Sequence, residues 1–145
     1  AIKFIQNYPP SMNTKGVRIS ATIWTVFIAS SCLLPSAIFK PFSFQGLFQF
    51  DKIIHLVLFF VFVQLWALNL KKEDQKNKII ILLIGIAYGA IIEYLQSAMN
   101  LGRSFEVDDM IANTIGCILG VVLLTITQNL LPLLKKYLPF RPKGN

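Results

Sequence analysis

Apolar residues dominate positions 17–34, 53–70, 79–99 and 110–134, and short polar segments separate these runs. A helix rises about 1.5 Å per residue, so each run is long enough to cross about 30 Å of hydrocarbon, with tilt taking up any excess. In lipid a segment must satisfy its own backbone, and no strands of alternating polarity are present to build a barrel. All four runs are therefore predicted to be helices. Pro35 closes the first, because its ring cannot extend a helical ladder. The polar residues 71–78 divide the second run from the third. The connection 100–107 is short enough to make the last two runs an antiparallel hairpin. The predicted fold is an all-α membrane bundle of four transmembrane helices, one membrane domain over residues 1–145.

Composition sharpens this picture. Of the 145 residues, 54% are hydrophobic and 14% are charged, a balance suited to lipid as part of the solvent. The 14 Lys+Arg exceed the 7 Asp+Glu, but the basic residues flank apolar runs rather than covering a soluble face. That pattern predicts membrane topology and anionic lipid as its partner, and argues against nucleic acid. Lys3, Lys15, Arg18, Lys71, Lys72, Lys76, Lys78, Lys135, Lys136, Arg141 and Lys143 fall on one side, and Lys40, Lys52 and Arg103 on the other. The positive-inside rule puts both termini and the 71–78 loop in the cytoplasm.

Residues 36–50 hold five phenylalanines with Pro41 and Gly46, too interrupted to span, and are predicted to lie in the outer interface as an amphipathic brace. The tail 139–143 reads as a basic anchor at the inner leaflet. Cys32 and Cys117 both sit in apolar stretches and read as packing residues. The sequence Ala29-Ser30-Ser31-Cys32 is a poor lipoprotein site, with Ala where a larger aliphatic residue is usual, so no lipid anchor is expected. Neither a metal nor a cofactor is expected: there is no ligand pair with zinc spacing, no nucleophile elbow and no phosphate-binding glycine loop.

Helical spacing gathers the remaining polar residues. Asp51 and His55 lie four apart at the outer start of the second run, with Lys52 beside them. On the third run Gly85, Gly89, Glu93 and Gln96 share one stripe, and on the fourth Asp109, Asn113, Gly116 and Gly120 share another. Antiparallel packing of these stripes would set Gly85 and Gly89 near Gly116 and Gly120, and Glu93 and Gln96 near Asp109 and Asn113. The alternative use of either GxxxG pair is a homodimer seam. Arg103, in the short connection, is positioned to bridge Glu93 and Asp109, with Phe105 over the mouth. The plainer reading is that these charges neutralise one another and fasten the helix ends.

Asp51-Lys52-Ile53-Ile54-His55, Glu93-Tyr94-Leu95-Gln96, Arg103-Ser104-Phe105, Asp109, Asn113, Gly116 and Gly120 together resemble the VanZ-like family of bacterial membrane proteins, over residues 51–122. The resemblance implies a multi-pass protein of the bacterial cytoplasmic (inner) membrane and cell envelope. The namesake is associated with antibiotic resistance of the teicoplanin type, and no settled biochemical activity follows.

Three functions compete. The first is recognition of an anionic lipid or cell-wall precursor by Lys52, His55 and Arg103. The second is a non-catalytic accessory subunit of a larger envelope complex. The third is an enzyme acting on lipid headgroups, with His55 as general base or nucleophile, oriented by Glu93 or Asp109. A lone histidine beside an aspartate is more often structural, so the reading leans away from catalysis. Ion conduction is disfavoured because no run carries a polar stripe from face to face.

Overall fold

The computed structural model describes residues 14–35, 47–70, 74–100, 102, 104–127 and 130. Four helices follow in chain order: α1 (Thr14–Cys32), α2 (Leu47–Ala67), α3 (Gln75–Ala98) and α4 (Val107–Val122). Among the described residues there is no strand. The 36–46 segment, Arg103 and the tail beyond 130 lie outside the described residues, so the expectations for the aromatic brace and the basic anchor do too.

The elements start earlier than the apolar runs suggest. α3 reaches back into the polar segment to Gln75 because Asp74, as N-cap, accepts a 2.8 Å hydrogen bond from the Asn77 amide. α2 begins at Leu47, ahead of its apolar run. α4 ends at Val122, and the chain turns at Leu123 before resuming helix at residues 124–127.

By length and composition two helical stretches can cross a membrane, Phe50–Ala67 and Gln75–Ala98. The first and last of the four expected spans fall short of that standard for different reasons. α1 carries Lys15 and Arg18 with several hydroxyl residues, and the 16 residues of α4 cover only about 24 Å.

The helices form an inside-out bundle. Apolar side chains such as Ile23, Val26, Ile54, Leu83, Ile84, Ile115 and Ile118 are exposed, whereas His55, Glu93, Gln96, Asp109 and Asn113 are buried. A soluble protein arranges the two classes the other way. Exposed hydroxyls on α1 are satisfied locally: Ser20, Thr22 and Ser30 donate to the carbonyls of Gly16, Arg18 and Val26, four residues back. A helix facing lipid requires this economy.

The core centres on Ile28, Phe59, Val63, Ile92, Cys117 and Leu124. Three side chains spanning the bundle tie its helices through main-chain carbonyls that are otherwise used only within a helix. Trp24 donates to Leu58 O at 3.0 Å, Tyr88 to Thr25 O at 2.7 Å, and Gln96 to Cys32 O at 2.6 Å. These pairings run α1 parallel to α3 and antiparallel to α2.

The closest packing joins α2 and α4, and the two run parallel. A methyl group added at Gly116 would collide with the main chain of Leu56, and one at Gly120 would come within 2.8 Å of the Val63 side chain and 3.1 Å of Phe60 O. Gly85 and Gly89 instead face Cys117 and Asn113 of α4, at 2.7 and 3.2 Å from such a methyl. The nearest neighbours of Gly85 and Gly89 are thus Cys117, Asn113, Val63 and Phe59 rather than the expected Gly116 and Gly120. α2 occupies the glycine face of α4, and the α3 glycines meet the neighbouring α4 surface through Cys117.

Candidate polar site at the α2 and α4 amino ends

Parallel packing of α2 and α4 brings their amino-terminal halves together, and with them charges more than fifty positions apart in sequence. Lys52 donates from Nζ to Glu106 Oε2 at 2.8 Å and to Asp109 Oδ1. Its side chain is 21% exposed and that of Asp109 only 7%, so the ammonium enters the bundle from the rim to reach a buried carboxylate. Asp108 and Asp109 occupy the first turn of α4, where unpaired backbone amides favour negative charge. Glu106 is the N-cap residue of α4, yet its side chain makes no capping bond and turns to Lys52 instead.

One turn further in, His55 and Asn113 face each other across the same seam. His55 Nδ1 lies 3.0 Å from Asn113 Oδ1. An amide oxygen only accepts, so in this contact Nδ1 is the donor, and Nε2 is turned toward the carboxylates of Asp51 and Asp109. Nε2 lies 3.8 Å from Asp109 Oδ2 and 4.0 Å from Asp51 Oδ1. Asp51, His55 and Asp109 each offer one ligand atom to a group that lies within 4.8 Å. These are the residues whose geometry fits a cation.

Glu93 approaches from α3. It has no solvent exposure, and neither carboxyl oxygen has a hydrogen-bond partner. It is near enough to Asp109, His55 and the Glu106 backbone for them to act on it electrostatically. Asn113 Nδ2 is likewise buried without a partner. Such groups each cost about 1 to 3 kcal/mol when left unsatisfied, so the polar groups of this interior are not fully matched to one another.

Of the residues expected in the site, the structure gathers Asp51, Lys52, His55, Glu93, Asp109 and Asn113. Gln96 stands apart: one turn beyond Glu93, it rotates toward α1 and bonds Cys32 O rather than joining Asp109 and Asn113. Arg103 lies outside the described residues, and so does the bridge expected of it; among the described residues Lys52 is paired with Asp109. Glu106 was missed, although an acid three positions before Asp109 at a helix start was the available signal. A second polar junction, at the other end of α2, also had no sequence signature. Gln64 donates to Gly120 O at 2.8 Å and accepts from Thr127 Oγ1 at 2.6 Å. Cys32 and Cys117 are both buried, and neither is in a disulfide.

A helical bundle with an apolar exterior, a charged interior at one end and two helices fit to cross a bilayer defines the class: a polytopic helical membrane protein. Within that class the chain belongs to the VanZ/LLP1 family, whose profile matches residues 2–128. The match extends well beyond the 51–122 core in which the resemblance was seen, taking in α1 and the start of the chain. Nothing among curated proteins and nothing among solved structures matches the chain.

Proposed function

We propose that the protein is a four-span protein of the bacterial cytoplasmic membrane, with both termini in the cytoplasm, whose polar cluster opens to the outer leaflet and recognises an anionic headgroup of a lipid or cell-wall precursor. The observation that carries this reading is Lys52, a rim ammonium held between one buried and one accessible carboxylate, with the Glu106 side chain 38% exposed. A phosphate or carboxylate arriving from the interface exchanges for Glu106 while Asp109 keeps the lysine in place. The low dielectric around the pair strengthens the new contact relative to water. By its position in the sequence between α3 and α4, Arg103 is the second cation this reading calls on. The apolar faces exposed on all four helices support four crossings.

The test is retention of phosphatidylglycerol against phosphatidylcholine by the detergent-purified full chain, read by native mass spectrometry. Lys52→Ala and Arg103→Ala are each expected to reduce phosphatidylglycerol retention at least fivefold. Equal retention of both lipids, or no loss in either variant, removes the reading.

One observation favours a second reading, that of an accessory subunit in a larger envelope assembly. Lys52 and His55 already have partners within the chain, so the cluster serves equally well to fasten α2 to α4. Purification under native conditions separates the two: a stoichiometric copurifying membrane protein supports the subunit, and a lone chain argues against it.

A further inference from the structure

We infer that Asp51, His55 and Asp109 form a site for a divalent transition-type cation, of the zinc or manganese kind, with Glu93 behind it. The inference stands on the geometry of these side chains and does not depend on headgroup recognition.

The imidazole is presented as a ligand. A metal-binding histidine commonly donates its other ring N–H to a carbonyl or carboxylate, which fixes the tautomer and aims the lone pair at the ion. His55 meets that description: Nδ1 is at 3.0 Å from the Asn113 amide oxygen, and Nε2 points between two carboxylates. Tetrahedral coordination at zinc places ligand atoms about 3.4 Å apart. The separations from His55 are 3.8 and 4.0 Å and the whole group spans up to 4.8 Å, so the aspartate side chains, one of them 41% exposed, must rotate inward to close on an ion.

Asp109 divides its two oxygens between separate tasks. Oδ1 accepts from Lys52, whereas Oδ2 turns toward His55. The ammonium and the cation site thus occupy opposite sides of one carboxylate. Among the described residues the cluster sets four carboxyl groups, Asp51, Glu93, Glu106 and Asp109, around Lys52 and His55, a local excess of acidic groups. Two plus charges on one ion correct this locally.

Glu93 provides the independent sign. A carboxyl group with no exposure and no hydrogen-bond partner, on α3 beside Asp109 and His55, is a buried acid whose charge a nearby cation would offset. One imidazole nitrogen with two or three carboxylate oxygens suits zinc or manganese, whereas calcium prefers an all-oxygen shell of six to eight ligands. Asp51, with its side chain 41% exposed, forms the entrance.

Titration of the detergent-purified, chelator-treated full chain with Mn²⁺, followed by electron paramagnetic resonance, and with Zn²⁺, followed by calorimetry, tests the site. One ion per chain is expected. Asp51→Asn, at the accessible rim, is expected to weaken binding at least tenfold while leaving the metal-free unfolding temperature unchanged. Asn113→Ala, which removes the support for Nδ1, is expected to weaken it 10- to 100-fold. No saturable binding of either ion, or Asp51→Asn binding as tightly as the parent, overturns the inference. These measurements are made without added lipid, so their failure leaves headgroup recognition standing, and failure of the phosphatidylglycerol experiment leaves the cation site standing.

Discussion

Gly116 lies against the main chain of Leu56 so closely that a single added methyl group would strike the Leu56 carbonyl oxygen. Backbone cannot rotate aside as a side chain can. Gly116→Ala is expected to lower stability by about 2 to 3 kcal/mol. Gly85→Ala meets the Cys117 thiol at 2.7 Å and is the milder change, rescued in part by Cys117→Ala. Thermal unfolding in detergent measures both. Equal losses at the two glycines, with no rescue by Cys117→Ala, would show that α4 does not pack as described.

Lys52→Met leaves the buried Asp109 carboxylate without its cation. With the lysine partly solvated, the expected loss is about 1 to 3 kcal/mol. Adding Asp109→Leu to it should recover most of that loss, because replacing both members of an ion pair with apolar groups removes the stranded charge. A double variant less stable than the single one would contradict the pairing.

The chain has one histidine, so its ring nitrogens can be read without assignment. Nitrogen NMR of the metal-free protein, at a pH where the ring is neutral, is expected to show the Nδ1–H tautomer, held by Asn113 at 3.0 Å. In Asn113→Ala the preference should relax toward a mixture. Finding Nε2–H in the parent would place the amide the other way round and undo the ligand geometry.

Glu93→Gln substitutes a neutral side chain of nearly the same shape for a buried carboxyl that has no partner. Without metal, the variant is expected to match or exceed the parent in stability, since desolvating an amide costs less than desolvating a carboxylate. A drop of more than about 1 kcal/mol would mean that the carboxyl group supports the apo fold.

Topology is open to direct labelling. Ser104 and Lys76 are exposed at opposite ends of α3 and its hairpin, and both native cysteines are buried. In intact cells an impermeant thiol reagent should modify Ser104→Cys at once, and Lys76→Cys only after the membrane is opened. The reverse pattern would invert the bundle and move the polar cluster to the cytoplasmic side.

Residue spacing alone predicted much of this arrangement. Asp51 with His55, and Asp109 with Asn113, are one turn apart, so each pair had to share a face of its helix. Which helix faces which is a property of the whole bundle, and there local pattern is silent. The α3–α4 hairpin suggested by the short connection is present, but the tightest seam of α4 is with α2, more than fifty residues distant. For that reason Lys52 meets Asp109, Gln96 turns to α1, and side chains from two helices gather around His55. Glu106 was overlooked because an acid at a helix start is ordinarily explained by the helix dipole alone.

The junction of Gln64 with Gly120 and Thr127 bears on how the bundle can move. Together with Lys52 on Asp109, His55 on Asn113 and Gly116 on Leu56, it nails α2 to α4 along nearly the whole of their shared length. A piston stroke of one helix past the other would have to release every fastening simultaneously. The two therefore travel as a single strut, and any opening of the bundle must come from α1 and α3 swinging away from it.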